Sequence, residues 1–149
     1  MKISKYINRN YHGVQEDTPM KDIARLFFET GEPVIPVVDR QQQLKGIISI
    51  GDFMHIFLPD YIDLIKDFDF VRSFGALEKY SFTIEELLFV AEDLMVVDPP
   101  ALEEEDSLLK AVAILHKHGL SRIPVVSGRR LVGMVSLNDI CRGIYENKG

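Results

Sequence analysis

One pattern occurs twice in this sequence. Residues 37–53 read VVDRQQQLKGIISIGDF, and residues 125–140 read VVSGRRLVGMVSLNDI. Three pairs of identical residues are 87 positions apart, namely Gly46 and Gly133, Ser49 and Ser136, and Asp52 and Asp139. Pro36 and Pro124 are 88 apart, so the spacing changes by one residue at the polar turn between them. A duplicated unit whose loops have drifted explains both spacings, and it requires the two halves of the chain to fold alike.

Each copy of the unit is predicted to begin with a helix. In the first copy Thr18 is suited to cap this helix, with Pro19 at its first position. From Met20 to Phe27, apolar residues recur at i, i+3, i+4 and i+7, which predicts one buried helix face. Gly31 is suited to end the helix.

The rest of each unit predicts a hairpin and a second helix. Two β-branched runs separated by a polar turn predict the hairpin, with strands at 34–38 and 44–50, and a helix follows at 52–58. The second copy repeats this order, with a Ser107 cap, a helix to about 117, strands at 122–126 and 131–136, and a helix from 138. A short segment before each unit can add another strand.

Neither copy is expected to be stable as an independent domain, because a unit of roughly 50–60 residues buries too little surface. Helices on one face of a sheet leave its other face open, and the second copy can cover it. The predicted fold class is therefore α/β, of the α+β type, with two βαββα-like repeats packed as a pseudo-twofold pair. The predicted division is 1–58 for the first repeat, 59–94 for a helical linker insertion and 95–149 for the second repeat.

The linker is predicted to be helical rather than flexible. Tyr61, Leu64, Ile65 and Phe68 fall at helical spacing. Thr83 and Glu86 form a capping-box pattern before another apolar run. The linker is also dense in aromatic residues, which are Phe68, Phe70, Phe74, Tyr80, Phe82 and Phe89. Two interpretations remain open, a local core or a contact surface for a second subunit or a partner.

The composition narrows the class of partner and compartment. With 46% hydrophobic and 27% charged residues, the chain is typical of globular soluble domains. The net charge of −6 argues against a nucleic-acid or anionic-membrane surface, since both require clustered positive charge. A single cysteine excludes an internal disulfide. No apolar run approaches the ~20 residues of a membrane span, and the N-terminus lacks a signal-peptide core. We expect a cytoplasmic protein with neither a nucleic-acid nor a membrane partner.

Few other residues suggest chemistry. His116 and His118 are two positions apart and point to different sides of a helix, so no metal site is expected. Neither a Gly-x-Ser-x-Gly elbow nor a phosphate-binding Gly-x-x-x-x-Gly-Lys loop occurs, and we expect a protein that is not an enzyme. Arg129 and Arg130 are interpreted as solvated turn residues. Cys141 is interpreted as a buried residue of the helix core.

The repeated Ser-x-x-Asp admits two interpretations. It is a capping-box pattern, in which the Ser hydroxyl accepts from a backbone N–H and the Asp complements the helix N-terminus. The same geometry suits a ligand, because a helix start after a strand attracts anions and a carboxylate can accept hydrogen bonds from a ribose diol. Gly46 and Gly51 would then let a ligand approach the backbone. Duplication copies caps as faithfully as sites, so both interpretations stay open.

With its two copies of apolar-Pro-Val-Val, turn and Gly-x-x-Ser-x-x-Asp, the chain resembles tandem CBS domains, named after cystathionine β-synthase. The resemblance covers both repeats and leaves out the segment between them. It implies a two-repeat module with two clefts between the repeats, which commonly bind AMP, ADP, ATP or S-adenosylmethionine. In this family each cleft combines the Ser and Asp of one repeat with residues of the other.

Carried over residue by residue, the resemblance implies two unequal clefts. The first combines Ser49, Gly51 and Asp52 with Arg122, Pro100, Ala101 and Leu102. The second combines Ser136, Asn138 and Asp139 with Val34, His12 and Gly13. The implied roles are Asp for the ribose hydroxyls, Ser and Arg122 for phosphate, and the early backbone with apolar side chains for adenine. Val34 replaces the arginine in the second cleft.

The resulting functional prediction is a non-catalytic regulatory module that binds an adenine nucleotide between its repeats and signals to a partner. No cofactor is required, and AMP, ADP, ATP or S-adenosylmethionine is the candidate regulatory ligand. A homodimer is expected, because two-repeat modules of this family commonly pair through their helices. The alternative is a protein–protein interaction module with empty or degenerate clefts and the aromatic linker as its contact surface.

Overall fold

A computed structural model of the protein describes residues 2–56 and 88–146. A short 3-10 turn, Ile3–Tyr6, comes first. The first repeat then contains β1 (Val14–Gln15), α1 (Met20–Thr30), β2 (Val34–Val38), β3 (Leu44–Ser49) and α2 (Ile50–His55). The second part contains α3 (Ala91–Leu94), β4 (Val96–Val97), β5 (Leu102–Glu103), α4 (Leu108–His118), β6 (Arg122–Ser127), β7 (Arg130–Ser136) and α5 (Leu137–Glu146). The helix and the capping box predicted in the linker lie outside the described residues. Only the last positions of the linker, 88–94, are described.

The first helices of the two repeats end alike but begin differently. Gly31 and Gly119 end α1 and α4 with φ of 69° and 63°, the left-handed conformation that glycine adopts without strain. Ser107 caps α4 as predicted, and its Oγ accepts from the Lys110 N–H at 3.1 Å. The prediction that Thr18 caps α1 is wrong. Pro19 holds the cap position of α1, and the Thr18 hydroxyl accepts from the Gln15 N–H at 3.0 Å, closing the turn after β1.

Each repeat builds its sheet around the predicted hairpin. In the first sheet, the strand order is β1-β2-β3-β4, with β2 antiparallel to β3 and β1 parallel to β2. In the second sheet the order is β5-β6-β7 with the same directions. Both hairpins shift register at the same place, between Val37 and Val38 and between Val125 and Val126. The duplication therefore extends to a backbone irregularity, and the predicted extra strand before each unit is present.

The two repeats pack against each other through their sheets. Val34, Ile47 and Met134 form a small buried cluster between them, flanked by Tyr11 and Leu120. The hairpin turns also pair across the repeats. Leu44 N–H donates to the Arg129 carbonyl, and Leu131 N–H donates to the Gln42 carbonyl, both at 2.9 Å. These contacts produce the pseudo-twofold arrangement that the repeat predicts.

The end segments of the two repeats are exchanged. Ile3 is fully buried in the core of the second repeat, and the Asn8 N–H donates to the Met134 carbonyl at 2.8 Å. Conversely, Ala91 is fully buried in the core of the first repeat, and β4 pairs with β3. The core of each repeat is thus completed by a segment that is distant in sequence from the hairpin of that repeat. The sequence division at 58 and 94 stays a prediction. Among the helices of residues 2–56 and 88–146, none is long and apolar enough to cross a membrane.

Candidate functional site

The first Ser-x-x-Asp forms the turn between β3 and α2. Ser49 is the cap residue, and its Oγ accepts the Asp52 N–H at 3.1 Å. The Asp52 carboxylate is exposed and receives no hydrogen bond from residues 2–56 or 88–146. A Cβ built on Gly51 would meet no atom within 4 Å, so the space beside this turn is open. The serine serves as a cap here, whereas the aspartate carboxylate remains available.

The second Ser-x-x-Asp is a reciprocal capping box. Ser136 Oγ accepts the Asp139 N–H at 3.1 Å. Asp139 Oδ2 accepts from both the Ser136 N–H, at 3.1 Å, and the Ser136 hydroxyl, at 2.8 Å. One carboxylate oxygen of Asp139 is therefore already used by its own turn. The two motifs are identical in sequence, but the Asp52 carboxylate is available to a ligand and one oxygen of Asp139 is not.

Arg122 lies at the junction of the two repeats. Its Cα is paired with Ser136 across the β6–β7 hairpin, while Val34 is paired with Ser49 in the equivalent hairpin. The Arg122 guanidinium crosses to the first repeat and forms an ion pair with Glu32. The Arg122 Nε is buried and has no hydrogen-bond partner among the described residues. Arg122, the predicted phosphate contact, therefore has an acidic partner, Glu32, that the sequence did not indicate.

Glu32 holds its position next to the first Ser-x-x-Asp. It precedes Pro33, whose carbonyl accepts the Ile50 N–H at 2.9 Å at the start of α2. The equivalent bond in the second repeat joins the Leu137 N–H to the Ser121 carbonyl, also at 2.9 Å. No sequence signal marks Glu32, because a glutamate in a loop before a proline reads as a solvated residue.

Two of the apolar residues assigned to the clefts are buried. Val34 is 3% exposed within the cluster between the sheets, and Leu102 is fully buried in the second core. Their side chains fill cores, and both residues are paired in strands, Val34 with Ser49 and Leu102 with Val125. Pro100 and Ala101, which precede β5, are half-buried.

The residues predicted for the second cleft come from both repeats. His12, Gly13 and Asn138 are exposed. A cavity of about 430 Å³ contains Tyr11 and Gly13, but its other lining residues also come from the first repeat, and Ser136, Asn138 and Asp139 are not among them. The residue set assigned to the second cleft therefore stays a prediction.

Gly46 does not provide a ligand contact. A Cβ at this position would lie 2.7 Å from the Met95 sulfur and 2.7 Å from the Val96 carbonyl oxygen. The expectation that a ligand approaches Gly46 is therefore wrong, because the exchanged segment already covers it. Of the two glycines considered, only Gly51 faces open space.

The remaining reactive residues have ordinary surroundings. Arg129 and Arg130 are both exposed, as interpreted from the sequence, but only Arg129 lies in the turn, since Arg130 is the first residue of β7. Cys141 is exposed rather than buried, because Ile140 and Gly143 take the inward positions of α5. No group of three or more His, Cys, Asp or Glu residues within the described ranges is close enough to hold a metal ion.

A family model described as "CBS domain" matches the chain twice, over residues 3–59 and 90–146. The chain belongs to the CBS domain family. Its two matches correspond to the two repeats, so it is a CBS pair, and the resemblance noted from the motifs is confirmed.

Solved CBS-pair structures share the fold along the whole chain. The crystal structure of CBSX2 in complex with AMP has a TM-score of 0.74 at 20% identity and covers 99% of this chain and 98% of that one. The CBS domain pair of MJ0100, in complex with 5′-methylthioadenosine and S-adenosyl-L-methionine, has a TM-score of 0.69 at 19% identity. It covers 100% of this chain and 98% of that chain. Both likenesses establish the shared architecture of two CBS repeats.

Curated relatives contain similar segments inside longer proteins. The protein MJ0188 of Methanocaldococcus jannaschii is 28% identical over 147 residues, which is 98% of this chain and 45% of that protein. An inosine-5′-monophosphate dehydrogenase of Korarchaeum cryptofilum is 38% identical over 52 residues, 35% of this chain and 10% of the enzyme. The chain thus spans less than half the length of these relatives.

Proposed function

We propose that this CBS pair is a regulatory module without chemistry of its own, which binds an adenosine compound between its repeats and passes the bound state to a partner. AMP, ADP, ATP and S-adenosylmethionine are the candidate ligands. The complexes named for CBSX2 and for MJ0100 support this ligand class, because both hold adenosine compounds on the same architecture.

The observation that carries the proposal is the turn from Ser49 to Asp52. A free carboxylate at Asp52 can accept two hydrogen bonds from a ribose diol, and the open space at Gly51 leaves room for the sugar. Arg122 supplies a cation from the other repeat. The second cleft has Val34 in the arginine's place and a committed Asp139 oxygen, so we propose that it binds more weakly.

A thermal-shift series tests ligand binding. A ligand present at a hundredfold excess over its dissociation constant stabilises the folded state by about 2.7 kcal/mol. For a chain of this length, that raises the melting temperature by roughly 5–10 °C. If AMP, ADP, ATP and S-adenosylmethionine at millimolar concentrations all leave the melting temperature unchanged, the proposal fails.

Calorimetric titration of AMP and adenosine then assigns the residues. Asp52→Ala should weaken both ligands, because it removes the ribose contact that they share. Arg122→Ala should weaken AMP roughly tenfold to a hundredfold and adenosine little, since a charged hydrogen bond contributes about 1.5–3 kcal/mol. Equal losses of AMP and adenosine in Arg122→Ala would mean that the arginine supports the fold and does not contact phosphate.

A second candidate function, a protein-interaction module, is favoured by the apolar helix face of the second repeat. Leu137 is 46% exposed, and Ile144 is 37% exposed. Both line a groove of about 340 Å³ on α4 and α5, together with Val112, Ile140, Cys141 and Tyr145. We propose that this face pairs two copies of the chain. The linker aromatics lie outside the described residues, except Phe89, which packs on the first core.

A further inference from the structure

An ion pair joins the two repeats beside the first cleft. Glu32 and Arg122 are shielded to the same degree, each with 21% of its side chain exposed. The Glu32 Oε2 and Arg122 Nε atoms are both buried from solvent. Glu32 precedes Pro33, whose carbonyl accepts the Ile50 N–H, so the backbone at Glu32 lies close to the turn that presents Asp52. Any ligand that occupies the first cleft and reaches for Arg122 therefore meets Glu32 as well.

We propose that Glu32 determines which ligand charge the first cleft accepts, and that it disfavours phosphate-bearing adenosine compounds relative to those without phosphate. The inference rests on the proposed adenosine site. The negative charge of Glu32 offsets part of the attraction between Arg122 and a phosphate dianion, because the two paired charges sum to zero. A phosphate must either displace Glu32 or bind beside its carboxylate, and both alternatives are electrostatically costly in a shielded site.

The charges of the residues assigned to this cleft point the same way. Glu32 and Asp52 are negative, and Arg122 is positive. A site with this balance suits an adenosine compound whose 5′ substituent is neutral or cationic. Such a compound can bond to Asp52 through its ribose without disturbing the ion pair.

Calorimetric titration of adenosine and AMP into the parent, Glu32→Gln and Glu29→Gln tests the proposal at one ionic strength. Glutamine keeps the shape of Glu32 and removes its charge. Glu29 is an exposed glutamate near the end of α1, so its variant removes the same formal charge without touching Arg122. We expect AMP to bind roughly tenfold more tightly to Glu32→Gln than to the parent. Adenosine affinity should stay within about twofold in all three proteins, and Glu29→Gln should match the parent.

A charge-preserving variant and the parent protein supply independent checks. Glu32→Asp keeps the carboxylate and should keep the parent's ratio of AMP to adenosine affinity within about twofold. In the parent itself, AMP should bind no more tightly than adenosine. If adenosine binds but Glu32→Gln leaves the ratio unchanged, or if the parent favours AMP tenfold, this inference is overturned while the adenosine site stands. If neither ligand binds the parent at millimolar concentration, both proposals fall.

Discussion

Gly46 and Gly133 hold equivalent positions in the two repeats, and each lies against the backbone of an exchanged segment. A Cβ on Gly46 would lie 2.7 Å from the Val96 carbonyl oxygen, and one on Gly133 would lie 2.7 Å from that of Asn8. Backbone oxygens cannot move aside as flexible side chains can. The absence of a side chain at these two positions is therefore what lets the segments cross the sheets.

Adding a methyl group at either crossing should destabilise the protein. We expect Gly46→Ala and Gly133→Ala each to lower the free energy of unfolding by about 1–3 kcal/mol, as overpacking of a filled interior does. Urea denaturation measures the loss. Gly51→Ala is the control, since it has open space and lies in α2, and it should be neutral or stabilise by up to about 1 kcal/mol. A similar loss in all three variants would contradict this account.

The two Ser-x-x-Asp turns should differ in their contribution to stability. Asp139→Ala removes two hydrogen bonds to Ser136, so it should cost about 1–2 kcal/mol of unfolding free energy. Asp52→Ala removes only an acidic group near a helix start and should cost about 0.3–1 kcal/mol. Thermal and urea unfolding of the two variants compare them directly. A larger loss in Asp52→Ala would show that its carboxylate has a structural partner.

Charging the groove on α4 and α5 should separate the proposed dimer. We expect the double variant Leu137→Lys, Ile144→Lys to be monomeric at micromolar concentration, because lysines on both copies repel within an apolar contact. Light scattering with size-exclusion chromatography measures the mass. Val97→Lys is the control, as Val97 is 64% exposed on β4 and lies outside the groove. A parent protein that is monomeric at the same concentrations would contradict the dimer itself.

Asp106 should make stability depend on pH in the acidic range. Burial acts to raise the pKa of Asp106, but the Glu103 N–H at 2.8 Å and the Lys110 ammonium at 3.0 Å outweigh it, so the pKa lies below its ordinary 3.8. A carboxyl whose pKa is lower in the folded state stabilises the fold above its unfolded pKa, and this contribution is lost as pH falls through the folded pKa.

The matched variants are Asp106→Asn and Asp17→Asn, the latter at the equivalent, exposed position of the first repeat. Asp106→Asn should cost about 1 kcal/mol at neutral pH. The difference from the parent should shrink below about pH 4, measured by urea unfolding at several pH values. Asp17→Asn should follow the parent throughout. A difference for Asp106→Asn that is constant down to pH 2 would rule out this carboxylate as the source.

The order of elements was predictable because it depends on local patterns. Gly31 and Gly119 end their helices, Ser107 caps α4, and the strands differ by at most one residue at either end from the predicted runs. Apolar periodicity and turn residues act over a few positions, so helices and strands can be predicted from a single sequence. The Thr18 prediction failed because its hydroxyl accepts from the Gln15 N–H in the preceding turn. The Cys141 prediction failed because the buried face of α5 depends on how the helix packs.

The site was less predictable, since its decisive contacts are long-range. Glu32 meets Arg122 across 90 positions of sequence, and nothing near either residue indicates the pairing. The two aspartates share one motif, and only the structure distinguishes the committed carboxylate of Asp139 from the available one of Asp52. The exchange of segments was likewise hidden, because a short apolar stretch such as that around Ile3 or Ala91 does not indicate which core it completes.

The exchanged segments also bear on how the chain reaches its native state. During synthesis the first repeat emerges before Ala91 and β4 exist, so its core stays open until the ribosome has moved well into the second repeat. The stretch around Ile3 precedes the first repeat and must wait for the core of the second repeat, which it completes. Loop closure over such separations is slow, which favours late, concerted folding. The two repeats are therefore expected to form one cooperative unit, and damage to either core should unfold both.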